Sequence, residues 1–358
     1  MPETAGIAPA LGAALLFGLS TPAARALLDN CHPTLLAGLL YLGAGLGLML
    51  LRRLAPAHSH ETPLTRTALP GLASAIGFGG VLGPLLLMWG LSRTPASSAA
   101  LLLGLEGVFT ALLAWGLWRE ATDRRLMLGM ALIVLASACL TWRGQIESGQ
   151  WWPSLAIGAA CLCWGLDNNL TRGIAQHDAR QIAALKGLCA GSVNLALGLG
   201  LGATLPPWPQ ALAAFGVGFL GYGLSLVLFV RALASLGTAR TGAWFSIAPF
   251  VGAAGGLLLG EPAGPLFWLA LGLMAAGLWL HLSERHAHEH AHPALAHAHR
   301  HVHDDHHHHE HDFPWDGREP HAHPHVHAPL VHSHPHFPDL HHRHRHGPGR
   351  TEVSPRDC

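Results

Sequence analysis

Residues 155–173 read LAIGAACLCWGLDNNLTRG, an apolar run that is interrupted by one carboxylate and two carboxamides. The run is apolar enough to lie in lipid, where an unpaired Asp167, Asn168 or Asn169 would be costly. These side chains must therefore face a protein interior or a water-filled cavity. The pattern indicates a helix that crosses a membrane and borders a transport pathway.

The composition of the chain favours a helical membrane protein that crosses the bilayer several times. Of its 358 residues, 50% are hydrophobic, 12% are charged and 43 are glycines, which suits a membrane bundle better than a soluble two-domain enzyme. The net charge of zero hides two different parts. Residues 1–285 hold 15 basic and 11 acidic residues, whereas residues 286–358 hold 6 and 10.

Ten apolar runs have about the 20 residues that a helix needs to cross the hydrocarbon of a bilayer. If the N-terminus is cytoplasmic, eleven Lys and Arg residues lie on the cytoplasmic side and three on the other. This bias and the even number of spans place both termini in the cytoplasm. The runs lie near residues 6–28, 34–51, 69–91, 97–118, 126–142, 153–174, 181–203, 210–233, 239–260 and 265–282.

The two halves of the chain resemble each other. The segment 17–25 matches 164–172 at an offset of 147 positions, and 109–120 matches 250–261 at an offset of 141. Because each half holds five spans, an odd number, the second half enters the membrane in the opposite orientation, as in many transporters. We therefore predict two inverted five-helix repeats, residues 1–145 and 146–285, followed by a tail, residues 286–358.

Several motifs resemble those of the EamA family of the drug/metabolite transporter superfamily. They are LGAALLFG at 11–18, LEGVFTALLAW at 105–115 with Arg119-Glu120 after it, DRRLMLG at 123–129 and CWGLDNN at 163–169. The resemblance covers residues 6–282 and implies a ten-helix permease of a bacterial inner membrane, usually an exporter of small metabolites, without an enzymatic active site. One departure is Val108, which is aligned with Pro249 of the second half.

Glu106 and Asp167 are the strongest candidates for a solute or proton pathway. Glu106 is aligned with Ile247, so it breaks the symmetry of the repeat, and burial disfavours a charged carboxylate enough for Glu106 to exchange a proton near neutral pH. The alternative is an internal ion pair with a basic residue. Asp167, Asn168 and Asn169 fan through about 200° of a helix, so we expect at least one of them to bond another helix.

Further polar residues are weaker candidates, and each has a structural alternative. Hydroxyls of span one and Asn194 are also common in helix packing, whereas the cations can also pair with a carboxylate or extend to the lipid headgroups. The pathway candidates are Ser20, Thr21, Arg25, Arg172, Lys186 and Asn194. Glu120 and Glu261 end spans four and nine, and we interpret them as structural partners of loop arginines or backbone donors.

The tail holds 24 of the 29 histidines. Its proline content, charge and low complexity predict disorder. Neutral imidazoles bind Zn, Ni and Cu, and the alternative is a pH-sensitive tail that touches anionic lipid. The candidate metal ligands are His286, His288, His290, His292, His297, His299, His301, His303, His306, His307, His308, His309, His321, His323, His325 and His327.

These patterns predict an organic-solute permease that needs no cofactor for transport. Two alternatives remain: an exporter of Zn, Ni or Co ions, and a membrane sensor that detects metal without transporting it. The histidines before the tail lie at span ends or in loops, which argues against a metal pathway. We expect the bilayer, a small solute and metal ions at the tail as partners, leave protons and a homodimer open, and expect no nucleic acid and no enzymatic activity.

Overall fold

The computed structural model describes residues 4–54, 69–118, 124–172, 179–229, 231–232, 241, 244–282, 287–292, 295–301, 321–327 and 330–335. Helices occupy the described part up to residue 282. They are α1 (Thr4–Leu28), α2 (Pro33–Leu54), α3 (Leu69–Ala75), α4 (Gly83–Leu91), α5 (Ala96–Leu102), α6 (Leu105–Trp118), α7 (Arg124–Ser148), α8 (Trp152–Arg172), α9 (Ala179–Gly200), α10 (Trp208–Gly218), α11 (Ala248–Leu258) and α12 (Pro265–Leu282).

Seven helical segments of the described chain are long and apolar enough to cross a membrane. They are Gly6–Leu28, Pro33–Leu54, Leu69–Leu91, Ala96–Leu117, Arg124–Arg143, Arg180–Gly200 and Trp208–Phe229. Shorter apolar helices occupy Ala248–Leu258 and Pro265–Leu280. The helix α8 has sufficient length but lies outside the seven, as expected for a helix with Asp167 and two asparagines in it. The chain is a multi-pass membrane protein, and ten spans remain a prediction.

Two spans contain a π-helical segment, in which hydrogen bonds join residues five apart rather than four apart as in an α-helix. The first, π1 (Ile76–Leu82), joins α3 to α4, and the second, π2 (Phe219–Leu224), follows α10. Another span is broken between α5 and α6, where Leu103 and Gly104 form a turn. Such π segments often lie at functional sites, and π1 and the break both lie beside the polar residues of α8.

Glycines let α2 and α9 approach each other closely. A Cβ on Gly38 would lie 2.6 Å from the backbone nitrogen of Leu195, and one on Gly187 would lie 2.7 Å from the nitrogen of Gly45. Real Cβ atoms do not come this close to a backbone atom. Small residues at such contacts let membrane helices gain van der Waals packing without a hydrophobic driving force.

The described part of the tail forms strands in a unit of its own, which covers residues 284–344. Strand β1 (Ala287–His292) pairs antiparallel with β4 (Leu330–Pro335), and β2 (Leu295–His301) pairs with β3 (His321–His327). The prediction of disorder is wrong for these four ranges. Their His-x-His alternation has the two-residue period of a strand, which the composition argument did not weigh. His286, His303 and His306 to His309 lie outside the described residues.

Candidate functional site

An ion pair joins α8 to α9. Lys186 donates hydrogen bonds to both carboxylate oxygens of Asp167, with Nζ 2.6 Å from Oδ1 and 2.5 Å from Oδ2. Thr171, one turn further along α8, donates its hydroxyl to Oδ1 at 2.9 Å. The side chains of Asp167 and Lys186 are 10% and 18% exposed. Mutual compensation is what allows two charges to lie this deep in an apolar bundle.

The segment π1 lies directly against this ion pair. A Cβ on Gly79 would overlap the carboxylate of Asp167, so glycine is required for the close approach. The carbonyl of Gly79 accepts hydrogen bonds from the indole of Trp164, at 2.9 Å, and from the hydroxyl of Tyr41, at 3.0 Å. The next carbonyl, that of Gly80, accepts a bond of 3.2 Å from the amide of Asn194. Side chains of α2, α8 and α9 thus meet on one π-helical turn.

Glu106 lies in the first turn of α6, just after the break in its span. Its Oε1 accepts a hydrogen bond of 2.9 Å from the amide of Asn168, which also donates to the hydroxyl of Thr110 at 3.2 Å. A carboxylate in the first turn of a helix is favoured by the helix dipole. Glu106 also lies within electrostatic range of Asp167 and Lys186. Among the described side chains, its hydrogen-bond partners are neutral.

Asn169 bonds across to a neighbouring helix. Its amide donates to the carbonyl of Thr110 at 3.1 Å and to that of Gly165, in its own helix, at 2.8 Å. The three successive polar residues of α8 therefore divide. Asp167 faces π1 and α9, whereas Asn168 and Asn169 face α6. Because three successive residues of a helix point in different directions, the sequence predicted that at least one of them would bond another helix. No local unwinding of α8 is present, because the helix is continuous from Trp152 to Arg172.

Exposure distinguishes the two carboxylates. Asp167 is buried, whereas Glu106 is half-buried and Asn168 is exposed. Tyr41 is also half-buried and lies within electrostatic range of both carboxylates. The Glu106 side chain is therefore less enclosed by protein than that of Asp167, which its partners cover. When Glu106 is ionised, the side chains of Glu106, Asp167 and Lys186 together carry a net charge of −1. A proton or another cation can neutralise this charge.

In the described part of the chain, the remaining predicted pathway residues do not bond to these charges, although Asn194 bonds to π1 beside them. Ser20 is buried, and its hydroxyl donates to the carbonyl of Phe17, 2.6 Å away, while Thr21 is buried beside it. Arg25 pairs with Asp29 at 2.7 Å on the surface of α1, the structural alternative that the sequence allowed. Arg172 ends α8, and its side chain is outside the described residues. Asn194 is fully buried, and its Oδ1 has no partner among the described atoms.

Sequence reasoning missed several residues of the site. Tyr41 and Gly79 gave no signal, because Gly79 is one of 43 glycines and Tyr41 acts through a long-range hydrogen bond. Thr110 and Thr171 were detectable in principle, since each lies four residues after a candidate carboxylate and thus on the same helical face. Lys186 was a candidate, but its pairing with Asp167 did not follow from the sequence.

Glu261 performs the structural role that was predicted for it. Its carboxylate accepts the backbone amides of Ala96 and Ser97, at 2.6 and 2.7 Å, at the N-terminus of α5. Close by in sequence, Pro262 accepts a 2.7 Å bond from the buried Arg143. A carboxylate at this position satisfies amides that have no partner within the helix. The aligned Glu120 is outside the described residues.

The side chains that the structure describes contain no group of three or more His, Cys, Asp or Glu residues that could hold a metal ion. The groups that meet at the site are carboxylates, carboxamides, hydroxyls and one amine. Such groups bind protons and polar or charged organic groups.

Spanning helices packed into an apolar bundle, with charges enclosed within it, are the architecture of a multi-pass membrane protein. Residues 4–142 match the profile described as the EamA-like transporter family, which confirms the resemblance for the motifs within this range.

A relative from Methanothermobacter thermautotrophicus (strain Delta H), described as an uncharacterized transporter, is 27% identical over 228 residues. The match covers 58% of this chain and 66% of the relative, just under two thirds of its length. A solved structure, titled only as a crystal structure of a protein, superposes with a TM-score of 0.57 at 15% identity. It covers 78% of this chain and 97% of that one and supports the fold alone.

Proposed function

We propose that the protein is a secondary active permease that exports a small organic solute by alternating access between two inverted five-helix repeats. In this proposal ten spans lie in a bacterial-type inner membrane, with both termini in the cytoplasm. The group of charges at Glu106, Asp167 and Lys186 carries the proposal, because buried charges in membrane helices are costly and generally serve transport.

Glu106 is the coupling carboxylate in this proposal. Asp167 is enclosed and already compensated by Lys186, so the gain of a proton by its carboxylate would leave Lys186 uncompensated. Glu106 is half-buried and has neutral partners among the described side chains. It can therefore lose or gain a proton, or bind a cationic group of the solute, without breaking an ion pair. This assignment favours Glu106 over Asp167 as the proton carrier.

The solute is to be found first by untargeted comparison of metabolites in cells with and without the protein. Flux of that solute into proteoliposomes is then driven by a pH gradient, and proton movement is followed with a trapped pH-sensitive dye. We expect Glu106→Gln to uncouple solute flux from the pH gradient. Glutamine can keep the bond to Asn168, but its carboxamide cannot release and take up a proton as a carboxyl group does. Ile247→Gln places the same side chain at the aligned position and should retain coupling.

If Glu106→Gln transports solute against its gradient as well as the natural protein does, Glu106 is not the carrier. If the pH gradient drives no solute at all in the unmodified protein, proton coupling itself is rejected. The two results separate the assignment of the residue from the proposed energy source.

We also propose that the tail binds Zn, Ni or Cu ions as an accessory to transport. The strand register supports this, since β1 and β4 pair His288 with His334 and His290 with His332. In the second strand pair, His297 and His299 are opposite His325 and His323. The Cβ atoms of residues opposite each other in a ladder are generally about 4.5–5.5 Å apart, and neutral imidazoles are good ligands for these ions.

Removal of residues 286–358 should abolish zinc binding, measured by calorimetry, and leave solute flux unchanged. Zinc or nickel flux through the protein without its tail would favour the alternative of a metal-ion exporter. A protein that binds zinc, moves neither solute nor metal, and changes conformation on binding would favour the sensor.

A further inference from the structure

Three helices donate side-chain hydrogen bonds to π1, and two of these donors flank the ion pair in sequence. Trp164 precedes Asp167 by three residues on α8, and Asn194 follows Lys186 by eight residues on α9. Trp164 binds the carbonyl of Gly79, and Asn194 binds that of Gly80. The two neighbouring carbonyls thereby fix how far α8 and α9 are displaced along their axes relative to each other. This displacement determines whether Asp167 is opposite Lys186.

Gly77 and Gly79 of π1 have different surroundings. A Cβ on Gly79 would overlap the carboxylate of Asp167, whereas one on Gly77 would meet nothing within 4 Å. Both residues lie in the same π-helical turn. Replacement by alanine therefore affects the backbone in the same way at Gly77 and at Gly79. Only the replacement of Gly79 also displaces the carboxylate of Asp167.

We propose that π1 is the positioning element of the Asp167–Lys186 ion pair, and that Gly79 is the residue on which the geometry of the pair depends. Gly79 leaves the space that the carboxylate occupies, and its carbonyl holds α8 through Trp164. The consequence for transport rests on the proposed function, since a displaced pair would change the charge around Glu106. The positioning itself is independent of any substrate.

Lys186 is the only lysine in the chain, so its amine can be followed chemically. The full-length protein in detergent micelles is treated with an acetylating N-hydroxysuccinimide ester, and the modification of Lys186 is timed by mass spectrometry of its peptide. An amine that is hydrogen-bonded to a carboxylate and enclosed by protein reacts slowly, because the reagent cannot reach it. We expect Gly79→Ala to accelerate the reaction by at least about tenfold, a change that corresponds to ~1.4 kcal/mol. Gly77→Ala should react at the natural rate.

Trp164→Phe supplies a second test without added bulk, because it removes the indole donor to Gly79 and keeps an aromatic ring. We expect it to accelerate acetylation of Lys186 as well, by less than Gly79→Ala does. Size-exclusion profiles and helical circular dichroism identify any variant that has lost its fold. If Gly79→Ala does not fold, Trp164→Phe decides the matter.

Equal rates for folded Gly79→Ala and Gly77→Ala would overturn the proposal, as would a natural rate in Trp164→Phe. Glu106→Gln separates this inference from the proposed function. It should abolish proton coupling while Lys186 reacts at the natural rate. A loss of coupling in Glu106→Gln together with unchanged labelling in Gly79→Ala would retain the transport proposal and reject the positioning one.

Discussion

The two π-helical turns carry the same type of contact with different chemistry. On π1, Gly79 lies against Asp167, and on π2, Gly221 lies against Ser20, with a Cβ at either glycine overlapping its neighbour. Ser20 and Asp167 are the aligned residues of the two halves, 147 positions apart. Asp167 pairs with Lys186, whereas Ser20 donates to Phe17 in its own helix. The backbone arrangement is thus common to both halves, and the charge is present in one.

The glycines two positions before Ser20 and Asp167 show the same correspondence between the halves. Gly18 packs against Val251, and Gly165 packs against Thr110, and these pairs also match at the offsets of 147 and 141. The shared Phe/Trp-Gly-Leu motif therefore serves helix packing, which supports the proposed duplication. The difference between the halves teaches that residues common to both maintain the scaffold, and that the exceptions, Asp167, Lys186 and Glu106, are the residues to test for transport.

The largest effect should come from leaving one charge of the enclosed pair without its partner. Lys186→Met leaves Asp167 uncompensated and should lower the free energy of unfolding by about 3 kcal/mol, measured by denaturant titration in micelles. Ser20→Ala at the neutral position should lose less than about 1 kcal/mol, as for a single hydrogen bond. The double variant Lys186→Met/Asp167→Leu should recover most of the stability. A Lys186→Met protein as stable as Ser20→Ala would show that the two positions do not differ in energy.

The next largest effect on stability should come from added bulk at π2. Gly221→Ala forces a Cβ into Ser20 and should cost about 1–3 kcal/mol, the usual range for overpacking. Gly216→Ala, where a Cβ meets nothing within 4 Å, should be neutral or gain up to ~1 kcal/mol from helix propensity. Thermal unfolding in micelles measures both. Equal melting temperatures would contradict the close contact between π2 and α1.

The carboxylate cap on α5 should have a smaller effect. Glu261→Ala leaves the amides of Ala96 and Ser97 without their acceptor and should cost about 1 kcal/mol, as for other helix caps. Glu261→Gln retains one acceptor oxygen and should lose about half as much. We would measure both by thermal unfolding. An unchanged melting temperature in Glu261→Ala would contradict a capping role.

The exposed ion pair of α1 should have the smallest effect. Arg25 and Asp29 are 32% and 65% exposed, and water and salt screen such pairs. Arg25→Gln should change the free energy of unfolding by less than about 0.5 kcal/mol, in contrast to Lys186→Met in the other half. A loss as large as that of Lys186→Met would show that depth in the bundle does not distinguish the two pairs.

The sequence predicted helices and several of the polar residues that bond across helices in the structure. Hydropathy of about 20-residue runs identifies spanning segments because the lipid has no hydrogen-bonding groups, and each described helix up to residue 282 overlaps one of the predicted runs. The cost of burying Asp167 in such a run pointed to a charge partner, although not to Lys186. The repeat pointed to Glu106 through its contrast with Ile247. The strands of the tail were missed because low complexity was taken as disorder.

By itself the sequence determined a helical membrane protein, its similarity to the EamA-like transporter family over residues 4–142, and the candidates Glu106, Asp167 and Lys186. These follow from local chemistry, because the cost of a charge in lipid depends on the residue and its flanks. The tertiary structure decided which charges pair, that Gly79 lies under Asp167, and that Tyr41 and Trp164 share one carbonyl. Such contacts join residues 38 and 85 positions apart, and they depend on the rotation and displacement of whole helices.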